Sequence, residues 1–414
     1  MDWRRAAPVL LAAVLVAAGA RAQSLRSAAP DTITLYPDAP LHLSGPAQTV
    51  FDSRHDSCRA RGLHDVPDGA AIAFRRADGR VVLMAGNSTN LAFEGESPDA
   101  VERVCRPLLP VARNPDPASY DNWQWIRALY SEDGRHVLAL IHNEYHGWEQ
   151  GGVCPTPGRG GRAHLQCWWA SATWAWSDDG GMTFRQHPAP RNLLAALPQR
   201  YRPLNGRIGI ASPTQIVRNP HDGRYYALVG VKAAVGSQSK GMCVLRGENL
   251  DPSTWRAWDG KGFAARFTDP YTQPERPGAR VCATVTPLDL WSVVYSTHHG
   301  EFLALGQQRG DVVLLRSPDL LHWSRPERVA PFVRHSQWRP GDPAPTSYYA
   351  FLDTDSPARN FDTVDARTWL YFVRWPVRDG RIDNGVRELV RVPVGFGADA
   401  QRNGAPQRRS PEGK

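Results

Sequence analysis

Residues 171–184 read Ser171-Ala172-Thr173-Trp174-Ala175-Trp176-Ser177-Asp178-Asp179-Gly180-Gly181-Met182-Thr183-Phe184. The segment Ser171–Trp176 reads as a strand, and the next eight residues match S-x-D-x-G-x-T-[WF]. The physics of such a turn is local. The Asp carboxylate and the Ser hydroxyl hydrogen-bond nearby backbone N–H groups, the Gly takes a backbone shape other residues avoid, and the aromatic packs under the turn. Ser177, Asp179, Gly181 and Phe184 are therefore expected to be structural.

The same arrangement returns further along the chain. Val312–Arg316 leads into Ser317-Pro318-Asp319-Leu320-Leu321-His322-Trp323, and Val244–Gly247 leads into Glu248-Asn249-Leu250 and then Trp255, a looser variant. Hairpins precede these turns. Five are predicted: Ala70–Arg76 with Val81–Asn87, Trp125–Ser131 with Val137–Glu144, Ile208–Val217 with Tyr225–Lys232, Trp291–Thr297 with Phe302–Gln307, and Tyr348–Asp353 with Trp369–Trp375. The strands are short, rich in Val, Ile, Leu, Trp and Tyr, and separated by Gly, Asp or Asn turns. Their starts recur every ~50–85 residues, a period that points to an all-β, five-bladed β-propeller.

The Ser177–Phe184 turn resembles the Asp-box of sialidases. The S-P-D-L-x-x-W turn at 317–323 resembles the turns of five-bladed glycoside hydrolases, such as the arabinanase and xylosidase group and the fructosidase group. The resemblance covers the repeat layout from about residue 50 to 395. It implies the propeller fold, with a six-bladed sialidase-like ring as the alternative. It does not extend to catalytic motifs. The chain has no N-D-P-N-G, and Val66-Pro67-Asp68-Gly69 stands where a sialidase has R-I-P.

The chain has 414 residues, 42% hydrophobic and 22% charged, which excludes a disordered polymer. With 36 Gly and 35 Pro it has little room for long helices. The net charge is +8, yet all but four of the 49 basic residues are Arg, scattered with no basic run. That argues against a nucleic-acid arm. Residues 1–22 read as a secretory signal. Arg4 and Arg5 supply the positive end, Val9–Ala18 an apolar stretch too short for a membrane span, and Ala20-Arg21-Ala22 the cleavage site. Residues 23–50 are an N-terminal extension and a candidate closing strand, 51–397 a single propeller domain, and 398–414 a disordered tail. The expected product is soluble, secreted or periplasmic, with no membrane or nucleic-acid partner. Six Cys suit an oxidising compartment. Pairing neighbours along the chain gives Cys58–Cys105, Cys154–Cys167 and Cys243–Cys282. No C-x-x-C, phosphate loop or dinucleotide fingerprint occurs, so no metal or cofactor is expected.

In a propeller, residues before each blade's first strand and residues ending its second strand ring one opening. The Asp-box turns lie at the opposite face. That ring holds Asp65, Asp68, Asn87, Arg207, Lys232, Gln307, Arg309, Arg374 and Trp375. The densest chemistry is His142-Asn143-Glu144-Tyr145-His146-Gly147, followed by a Gly-rich loop that Cys154 and Cys167 would tie. Glycoside hydrolysis needs two carboxyls across the sugar bond. Asp68 is the expected base and Glu144 the expected acid, raised in pKa by partial burial beside Tyr145. His142, Tyr145, His146, Lys232, Arg309, Arg374 and Trp375 are the expected sugar-binding groups. His142 and His146 should share one side of their strand. Two rivals stand beside the glycoside hydrolase. One is a non-catalytic glycan- or protein-binding propeller. The other is a polysaccharide lyase, with Tyr145 or His146 as base and Arg374 or Lys232 neutralising a uronate.

Overall fold

The computed structural model describes residues 25–28, 32–157, 162–275, 281–383 and 385–397. The secretory signal at 1–22 and the tail at 398–414 lie outside the described residues, as does part of the N-terminal extension. Among the described residues there is no α-helix, only six short 3-10 turns.

The described residues form five antiparallel meanders. Blade one is Ile72–Arg75, Val81–Met84, Ala92–Ser97 and Ala100–Val104. Blade two is Trp123–Tyr130, Val137–His146, Trp168–Ser177 and Leu193–Ala195. Blade three is Ile208–Ala211, Tyr225–Val231, Gly241–Gly247 and Arg256–Trp258. Blade four is Asp289–Ser296, Glu301–Gln308, Asp311–Ser317 and Glu327–Pro331. Blade five has three strands from the C-terminal end, Thr346–Leu352, Arg367–Arg374 and Glu388–Phe396. Its fourth strand is Gln48–Asp52, from the other end of the chain, and Arg26–Ser27 pairs on that strand's outer edge. The first and last thirds of the sequence thus close one sheet. Arg391, 2% exposed, braces that closure by donating to Gln48 and pairing with Asp99 of blade one.

The strands are apolar on both faces because each blade packs between two others, and the core is divided along the seams. Ile72, Phe74 and Met84 meet Ile126, Leu129 and Ile141 between blades one and two. Leu138 and Leu140 meet Val229 and Leu245 between two and three. Leu228 and Val244 meet Phe302 and Leu315 between three and four. Each such side chain contributes about 1.5–3 kcal/mol on burial.

One strand departs from expectation. The segment 208–217 does not run through but stops at Ala211 and resumes at Val217–Arg218. Ser212 adopts φ +48°, and Pro213 has no N–H to continue the ladder. The three disulfides pair neighbours along the chain as expected: Cys58–Cys105, Cys154–Cys167 and Cys243–Cys282. They are consistent with an extracytoplasmic location.

Candidate functional site at the propeller mouth

Asp68 lies in the loop that enters blade one. Its backbone N–H donates to the carbonyls of Ala85 and Gly86, which fixes the loop against the end of the second strand. Its carboxylate accepts from the Tyr348 hydroxyl at 3.0 Å and forms an ion pair with Arg387. Tyr348 stands on the first strand of blade five and Arg387 just before that blade's third strand. Arg127, on the first strand of blade two, donates to the Asp68 carbonyl at 3.0 Å.

Two of these side chains are aimed by irregular backbone. Arg127 is the extra residue of a bulge between Ile126 and Ala128. Tyr348 sits in a second bulge, between Ser347 and Ala350, with φ +60°. A bulge rotates one side chain out of the alternation without disturbing the rest of the strand. Gly69 leaves room for the result, since a Cβ there would lie 2.5 Å from the Arg127 guanidinium.

Blade two supplies a second cluster. Along Val137–His146 the strand alternation puts His142, Glu144 and His146 on one face and Asn143 and Tyr145 on the other. Glu144 accepts from His142 Nε2 through one carboxylate oxygen and meets His146 Nε2 with the other, both at 2.8 Å. The Ser212 N–H donates to His142 Nδ1 at 3.2 Å, so the His142 proton is on Nε2 and points at Glu144. His146 is sandwiched between Trp123 and Trp148, with centroids at 5.1 and 4.2 Å. Trp148 opens the loop tied by Cys154–Cys167, and that loop therefore forms part of the rim.

The expected elevation of the Glu144 pKa is overturned. Burial alone would push its carboxyl up, but the hydrogen bonds with His142 and His146 outweigh it and hold the carboxyl well below its ordinary 4.5. Burial holds the His142 imidazole below 6.5, against a smaller opposing pull from Glu144. The resting cluster is a carboxylate with a neutral His142. Tyr145 is not beside this carboxyl. It is buried toward blade three, edge-on to Tyr201 at 4.7 Å, and its hydroxyl donates to the Pro115 carbonyl.

Blade three adds Lys232, whose ammonium lies 3.3 Å from Asp289 of blade four. Burial pushes that ammonium down from its ordinary value. Asp289 is held below its own ordinary value because Lys232 outweighs burial. Arg207 lies over the Trp168 ring at 4.5 Å. The mouth thus joins Asp68, Arg127, Tyr348, Arg387, the Glu144 cluster and the Lys232–Asp289 pair.

The remaining expected groups do other work. Arg374 is held by Glu388 and reaches Thr32. Trp375 is 7% exposed and lies beneath the Arg387 guanidinium at 4.9 Å. Arg309 is exposed in the turn after Glu301–Gln308, at φ +47°. Asp65 is wholly buried and pairs with Arg103. At the opposite face the 177–184 turn is saturated locally. The Asp179 carboxylate accepts from the N–H groups of Met182 and Thr183 at 2.9 Å and from the Thr183 hydroxyl at 2.6 Å.

Sequence reasoning missed Arg127, Tyr348, Arg387 and Asp289. One signal was available. Arg127 interrupts an otherwise apolar run, Trp125-Ile126-Arg127-Ala128-Leu129, and a lone charge inside a core strand needs an explanation. Tyr348 and Arg387 lie about 300 residues from Asp68 in sequence and carry no such mark.

No family model matches the chain, and no curated protein matches it. Solved structures do show similarity in chain course. A GH43_1 enzyme from Xanthomonas citri is 11% identical over 82% of this chain and 90% of its own, at a TM-score of 0.46. An endo-arabinase from Bacteroides thetaiotaomicron is 8% identical over 80% of this chain and 97% of its own, at 0.41. A xylan β-1,4-xylosidase from Bacillus halodurans is 9% identical over 79% of this chain, at 0.40, and the present chain spans only 54% of that protein. The five-bladed architecture described above rests on the strand pairing and stands independently of these likenesses.

Proposed function

We propose that the protein is an exported glycoside hydrolase that cleaves glycans at the propeller mouth, with Asp68 as its base. One observation carries the reading: a partly exposed carboxylate at the mouth, ion-paired with Arg387 and hydrogen-bonded by Tyr348. A carboxylate so placed can take a proton from an attacking water or hydroxyl. Tyr348 orients it. The departing sugar oxygen needs a proton in return. Glu144 is ionised and both its oxygens are engaged, so it serves as the partner that orients His146 through Nε2. The proton passes to the departing oxygen from His146 Nδ1, the atom that Glu149 otherwise holds at 3.4 Å. The Trp148 ring offers an apolar face to a sugar, whereas Trp123 is covered by His146 and Arg113. The similar solved structures named xylosidase and arabinase add a fold-level analogy of the kind on which function cannot rest alone.

The test is product formation from a glycan panel by the mature protein. Asp68→Asn should abolish cleavage of every substrate. His146→Ala should abolish cleavage of natural glycans but spare aryl glycosides with acidic leaving groups, which need no protonation. Activity that survives in Asp68→Asn would refute the assignment.

A glycan-binding propeller is the second reading. It is favoured by the engagement of the mouth carboxylates Asp68, Glu144, Glu149 and Asp289 with cations or imidazoles. A lyase built from Tyr145 and Arg374 is disfavoured, because the first is buried in a blade seam and the second is held by Glu388.

A further inference from the structure

Arg127 is 7% exposed and takes part in no ion pair among the described residues. Its guanidinium makes one hydrogen bond, to the Asp68 backbone carbonyl. It interacts electrostatically with Tyr348 of blade five, Asp68 of blade one and Glu144 of blade two, and it bears in turn on Lys232 of blade three. Arg127 stands on the first strand of blade two, the strand that lines the channel, and its guanidinium reaches the Asp68 carbonyl of blade one and lies 5.3 Å from the Tyr348 ring of blade five. The carboxylates nearest to it are already satisfied: Asp68 by Arg387 and Tyr348, Glu144 by two imidazoles. Lys232 pairs with Asp289, which the neighbouring Arg207 also stabilises while lying over the Trp168 ring. Each carboxylate near the mouth, Glu149 on His146 and Trp123 included, is thus already engaged.

Buried guanidinium groups are ordinarily paired, because desolvation without a counter-charge is expensive. The backbone has nevertheless been shaped to keep this one in place. A bulge aims it, and Gly69 supplies the space that a Cβ would fill. Arg presents a planar fork of donors that matches a carboxylate edge-on. We propose that Arg127 is the receptor for a carboxylate carried by the sugar ring, so that the mouth takes an acidic glycan, a uronate or sialate residue, at the propeller axis. The inference rests on the reading that this mouth takes glycan, but it does not depend on cleavage.

The experiment is calorimetric binding to the full mature protein, with turnover measured separately. The ligands are an oligouronate, its carboxyl-reduced counterpart, sialyllactose, lactose and a sulfated oligosaccharide. At least one carboxylated ligand should bind at least tenfold more tightly than its neutral counterpart. Arg127→Met should erase that preference, and Arg127→Lys should keep part of it. The melting temperature of unliganded Arg127→Met should not fall, because a desolvated cation without a carboxylate partner is replaced by an apolar chain of similar length. A receptor role predicts that outcome, and a purely structural plug does not. Equal affinity for acidic and neutral forms would overturn the proposal. So would a preference that survives in Arg127→Met, or binding confined to the sulfated ligand. Tight acidic binding without turnover would uphold the receptor and refute the hydrolase. Cleavage of neutral glycans with no acidic preference would do the reverse.

Discussion

The turn at 177–184 and the mouth at Asp68 are both built around an aspartate, and they use it in opposite ways. Asp179 finds all its hydrogen-bond partners within four residues of itself, and they saturate it at the surface. Asp68 finds its side-chain partners 280 and 319 residues away, on blade five. The first aspartate makes a blade turn and needs nothing from the rest of the molecule. The second exists as a site only once the ring has closed through the pairing of Gln48–Asp52 with Glu388–Phe396. A local carboxylate is a folding device. A carboxylate assembled across blades is available for chemistry.

The largest expected effect falls on the second kind. Asp68→Asn should lower turnover by about 10²–10⁴-fold, as loss of a positioned base does, while circular dichroism and melting temperature stay near wild type. Asp179→Ala should leave turnover unchanged. If both variants lose activity in proportion to their loss of stability, the distinction between the two aspartates fails.

The rim loop tests the boundary between the two kinds. Cys154 and Cys167 are separated by 13 residues, and removing such a link costs about 3 kcal/mol in the chain-entropy account. The double Ser variant should lose roughly that in chemical denaturation. It should also bind glycan more weakly, because Trp148 at the start of the loop stacks on His146.

Glu144 sharpens the comparison through pH. A carboxyl held below 4.5 in the folded protein binds fewer protons there than in the unfolded chain. Its contribution is complete above 4.5 and is lost as pH falls through the folded value. His142, held below 6.5, acts in the same direction: the unfolded chain takes up its proton first, so stability declines as pH falls from 6.5. Denaturation midpoints measured from pH 7 to pH 3 should therefore drop steadily. Glu144→Gln should flatten the lower part of that decline and cost about 1–3 kcal/mol at pH 7, from hydrogen bonds left imperfect in a buried site. An unchanged pH slope would show that the His142–Glu144–His146 cluster does not exist in solution. The smallest effect should come from Asp179→Ala, about 1 kcal/mol, since its bonds are replaced in part by water.

The same contrast explains what was legible in the sequence. The blades were readable because hairpin turns and strand alternation are local signals. The neighbouring-pair disulfides follow the same short-range logic. The break at Ser212-Pro213 is also written in the chain, in a proline without a donor. Asp68 and the His142–Glu144–His146 face were visible because propeller geometry names which strand ends meet. Their electrostatics were not visible. The depression of the Glu144 carboxyl depends on two imidazoles turned onto it, one of them fixed by the N–H of Ser212 from the next blade. Tyr348 and Arg387 gain meaning only from closure of the ring. Arg127 gains its position from a bulge that no residue type announces.

The central claim is that the mouth acts on glycan through Asp68, and its most direct test is a product assay. Wild-type mature protein, Asp68→Asn and Asp179→Ala would be incubated with neutral, uronate-containing and sialylated glycans, and new reducing ends and unsaturated products read together. The account predicts saturated products from wild type and Asp179→Ala and none from Asp68→Asn. Unsaturated product, or equal product from all three proteins, would contradict it.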